Sequence, residues 1–128
     1  GFTLLEVMIA VALIAIALVT LIGAQAQSVA IATGSRFDTM ASLLAQWKLT
    51  EIHLQDFDQL QSGTGNFGEQ YPHFSWKLEV EETAGNEVGI RGMSGMLKTV
   101  DVSIITDQDR SLAFTVRTIV CKKPVVNQ

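Results

Sequence analysis

Two rhythms of apolar residues run along this chain. From Phe2 to Ala24 apolar side chains follow one another almost without a break, FTLLEVMIAVALIAIALVTLIGA. At 1.5 Å rise per residue a helix of this length is roughly 34 Å long, enough to cross the hydrocarbon core of a bilayer. Beyond it, Phe37, Met40, Leu44, Trp47, Glu51 and Leu54 recur at spacings of three and four, which predicts one face of a continuing helix. Glu51 interrupts that stripe, while Leu43, Ile52 and Phe57 broaden it enough to pack beneath a sheet. The pattern therefore predicts a long helix to about residue 60, half membrane span and half core. Gly34 lies between the halves and is a candidate hinge, at a cost of about 1 kcal/mol relative to alanine.

The rhythm then changes. Ser62-Gly63-Thr64-Gly65-Asn66-Phe67-Gly68 is dense in turn residues and reads as a linker that ends the helix, with Tyr71-Pro72 continuing the loop. It lacks the Lys-Ser/Thr of a phosphate-binding loop and follows a helix instead of a strand. From about residue 74, Phe74, Trp76, Leu78 and Val80 alternate with Ser75, Lys77, Glu79 and Glu81, the period of a strand with one buried face. Trp76 is the expected anchor of the core. A second alternation uses Val100, Val102 and Ile104, and a third runs through Leu112, Phe114, Val116, Thr118 and Val120. The fold class expected is α+β, the helix against a small antiparallel sheet of three or more strands. Asp107-Gln108-Asp109-Arg110 is expected as a hairpin turn and Ala84 to Gly95 as a longer, mobile connection. The division expected is an anchor over 1–27 and an α+β head over 28–128.

Charge sharpens this division. Before Arg36 the only charged side chain is Glu6, and the whole chain of 128 residues carries a net charge of −4. No clustered Lys/Arg stripe is present, so nucleic-acid binding is not expected. Cys121 is the sole cysteine, which excludes an intramolecular disulfide and a cysteine-based zinc site. It is read as a partly packed small side chain. Glu6 is the anomaly, because an ionisable residue in a membrane helix is a functional candidate by default. The helix dipole accounts for its tolerance near an N-terminus. A cation from another subunit, the nearest being a neighbouring chain's α-amino group, would account for its presence. The start and length of the segment do not fit a secretory signal peptide, so cleavage after it is not expected.

Gly1-Phe2-Thr3-Leu4-Leu5-Glu6 ahead of an apolar helix resembles the processing site of type IV prepilins and type II secretion pseudopilins. The resemblance covers roughly the first 25 residues. It implies that a prepilin peptidase cuts between Gly1 and Phe2 and N-methylates Phe2, and that Glu6 promotes assembly by neutralising an adjacent N-terminal amine. No basic leader precedes Gly1, so the chain is expected to be trimmed already to its recognition glycine, and orientation is not read from flanking cations.

Within that family the order helix, aromatic-rich loop and few strands, without paired C-terminal cysteines, is similar to minor pseudopilins of type II secretion. The detail nearest the I-type minor pseudopilin is Ala45-Gln46-Trp47-Lys48-Leu49-Thr50-Glu51, then Gly68, Pro72, Phe74 and Trp76. The resemblance implies a single-pass protein of the bacterial inner membrane with a periplasmic head. That head would join other minor and major pseudopilins in a hetero-oligomeric tip complex that primes a pseudopilus. The alternatives are a minor type IV pilin of a surface fibre, or an anchored ligand- or DNA-binding module, the latter disfavoured by the acidic balance.

No catalytic constellation, cofactor site or metal site is expected. Asp107 and Asp109 have the D-x-D spacing of calcium loops, but the remaining ligands of an EF-hand are missing. His53 and His73 have no serine or carboxylate spaced to suggest a relay. Glu79 and Glu81, with Glu82 beside them, lie on the solvent face of their strand.

Overall fold

The computed structural model describes residues 1–84, 89, 91–92 and 94–124. The connection expected over Ala84–Gly95 falls largely outside them. The chain divides into two compact units, Gly1–Phe37 and Asp38–Gln128. One helix, α1 (Leu4–Leu54), contributes to both.

In the first unit the helix is apolar on every side and exposed throughout its initial turns, with Leu4, Leu13, Val19 and Ile22 all more than half exposed. Its hydroxyls are satisfied internally. Thr20 donates to the Ala17 carbonyl at 2.9 Å, Ser28 to Ala24 at 3.0 Å and Thr33 to Val29 at 2.9 Å. Such back-bonding lets polar side chains sit in apolar surroundings without an unpaired donor. The helix runs through Gly34 without interruption, so the hinge expected there is not a break in the hydrogen-bonded ladder.

The second unit is a four-stranded antiparallel sheet, β1 (Gly63–Asn66), β2 (Phe74–Glu82), β3 (Leu97–Thr106) and β4 (Ala113–Cys121), in the order β1-β2-β3-β4. β3 is central and carries the core. Val100, Val102 and Ile104 are fully buried, facing Val80, Leu78 and Trp76 of β2 and Thr118, Val116 and Phe114 of β4 in register. All three alternations read from the sequence face the way their period requires.

Two features differ from the sequence reading. The helix buries Phe37, Ala41, Leu44, Ala45, Lys48 and Ile52, so Phe37, Leu44 and Ile52 of the expected face are buried and other members of it are not. Trp47 is 51% exposed, Leu54 83% and Leu43 56%. The physical reason is size: alanines let helix and sheet approach closely, and a lysine stem buries as apolar surface. The helix ends at Leu54 and a 3-10 turn, Phe57–Gln59, follows. Lys98 of β3 donates to the Phe57 carbonyl at 2.7 Å, and Lys122 pairs with Asp58 at 3.0 Å, which ties that turn to the sheet.

The second correction concerns the glycine-rich linker. Gly63–Asn66 is a strand, paired with Ser75–Leu78. Gly65 lies directly opposite Trp76, and a Cβ there would come within 2.6 Å of the indole Cζ2. The glycine makes room for an aromatic ring laid across the strand, a known way of covering sheet glycines. On the helix side, the Lys48 ammonium sits 3.7 Å from the Trp76 ring centroid. Trp76, half-buried, is thus clasped between β1 and α1. Ser62 accepts from the Val80 N–H through its Oγ at 2.9 Å and prolongs the edge.

Gly65→Ala is expected to destabilise the protein by about 1–3 kcal/mol, the usual cost of forced overpacking, in urea unfolding followed by tryptophan fluorescence. Gly34→Ala, which meets nothing within 4 Å, is expected to leave the midpoint unchanged or raise it.

Candidate functional site

The N-terminal turn is built by its own side chains. Thr3 stands immediately before the first helical residue, its Oγ1 accepting from the Glu6 N–H at 3.2 Å, while its carbonyl accepts from Val7 N–H at 3.2 Å. Thr3-Leu4-Leu5-Glu6 is therefore a helix start of the Thr-x-x-Glu type, in which the threonine satisfies a donor that the helix leaves orphaned. The sequence reading used Glu6 and passed over Thr3, although the spacing signals it. The structure places the Glu6 side chain in the exposed first turn, where the positive end of the helix dipole favours an anion. Its carboxylate has no hydrogen-bonding or ionic partner among the described residues. Gly1 and Phe2 precede the helix, and Phe2 is 87% exposed.

The head brings together several polar groups that the sequence keeps apart. His73 Nδ1 lies 3.1 Å from Asp107 Oδ1, a carboxylate partner that spacing did not reveal because the pair bridges distant segments. Both side chains are more than half exposed, and their backbones are also joined, the Asp107 N–H donating to the His73 carbonyl at 3.1 Å. The pair closes the end of the β2–β3 ladder. His53 Nδ1 donates to the Leu49 carbonyl at 2.6 Å in the last turn of α1. Glu79 pairs with Lys77 at 2.6 Å on the solvent face of β2. Cys121, expected to be partly packed, is exposed at the end of β4.

Asp107 and Asp109 each have a separate partner, His73 for the first and Ser111 for the second. Asp109 accepts from the Ser111 hydroxyl at 2.6 Å and from its N–H at 2.9 Å, the bonds of a local turn. These bonds, the hydroxyl's first, hold the Asp109 carboxyl below its ordinary value. On the outer face, Arg117 grips Asp101 with two bonds, Nε to Oδ1 at 2.7 Å and an Nη to Oδ2 at 2.8 Å. These bonds hold the Asp101 carboxyl below the usual carboxylate range and push Arg117 up. Among the described residues no group of three or more His, Cys, Asp or Glu is arranged to hold a metal ion.

Residues 1–22 match the family model of the prokaryotic N-terminal methylation motif, which is typical of type IV pilin-like proteins. The anchor segment carries a methylation motif. No curated protein and no solved structure matches the chain. The motif indicates a structural protein instead of an enzyme. Together with a helix long and apolar enough to cross a membrane, it suggests single-pass anchoring.

The Asp101–Arg117 pair sets a pH dependence. A carboxyl whose folded pKa lies below the unfolded value of about 3.9 adds stability above that value and loses it as pH falls through the folded one. Asp101→Asn is therefore expected to lower the urea midpoint at pH 6, with the gap to the parent closing as pH falls below the ordinary carboxyl value of about 4.

Proposed function

We infer that this chain is a minor pseudopilin of type II protein secretion, anchored in the bacterial inner membrane with its head in the periplasm. The observation that carries the reading is Gly1-Phe2-Thr3-Leu4-Leu5-Glu6 at the head of an apolar helix, within the matched methylation motif. In this reading a prepilin peptidase cleaves between Gly1 and Phe2 and methylates the new amine of Phe2. Thr3 then fixes the first turn, and Glu6 projects a carboxylate without a partner among the described residues. A carboxylate deep in hydrocarbon costs about 2.5–3.5 kcal/mol on insertion scales. The methylated amine of a neighbouring subunit is a cation at matching depth that removes much of this cost.

The I-type assignment rests on the resemblance carried by Ala45-Gln46-Trp47-Lys48-Leu49-Thr50-Glu51, then Gly68, Pro72, Phe74 and Trp76. Of these residues Trp47, Lys48, Glu51 and Trp76 line one groove. The subunit would join other minor pseudopilins in a tip complex on which major pseudopilins polymerise.

Glu6→Val is expected to insert into the membrane as the parent does but to be absent from sheared or isolated filaments. Its normal incorporation would remove the amine-pairing role. Co-expression of the full chain with the minor pseudopilins encoded beside it, followed by purification and sizing, is expected to give a hetero-complex of fixed stoichiometry. Recovery of the chain in a surface fibre would favour the type IV pilin reading.

A further inference from the structure

We draw no further inference here: the strongest candidate, the exposed apolar stripe of Leu43, Trp47 and Leu54 along the head half of α1, carries nothing because nothing in the structure shows what covers it.

Discussion

The head depends on one indole. Trp76 lies across Gly65 of the edge strand and beneath the Lys48 ammonium of the helix, so a single ring fastens the first strand, the second strand and the helix to one another. Each contact has a sequence requirement. Position 65 admits only a hydrogen, the helix must turn a long stem inward at 48, and Glu51 must stand three residues on to balance its charge. A buried ammonium without such partners would be expelled or neutralised. The fully buried row Val100, Val102 and Ile104 supplies apolar area, but the tryptophan decides where the helix lies on it.

The anchor works under a different constraint. In hydrocarbon a polar group needs a partner, and Thr20, the one hydroxyl residue within the apolar stretch after the first turn, finds it in its own helix. Glu6 has no partner among the described residues, and a carboxylate that costs free energy in isolation becomes a driving force if a second chain offers the missing charge.

Much of this was legible in the sequence, and the failures are instructive. The helix, β2, β3 and β4 follow from periods of 3.6 and two, and Gly1, Phe2 and Glu6 stand out because charge is so sparse before Arg36. β1 escaped because glycines at 63 and 65 carry no period at all, and their purpose is visible only once Trp76 is seen opposite them. The buried helix face was misplaced because a count of large apolar residues chose Trp47 and Leu54 over Ala41, Ala45 and the lysine stem. His73 and Asp107 meet only through the pairing of Phe74 with Thr106 beside them, which no local spacing encodes. Thr3 was legible as a helix start and simply outshone by the glutamate three residues later.

The order β1-β2-β3-β4 has a consequence for how the head comes to be folded. Every strand pairs with its neighbour in the chain, so each ladder forms by closing one loop between consecutive elements, and the topology has a low contact order. The closure from Glu82 to Leu97 is the longest between paired strands, yet loop entropy grows only logarithmically with length. The sheet can therefore zip from any of its three hairpin pairings as the polypeptide emerges. The clasp on Trp76 joins the sheet to a turn of the helix that is made before the first strand.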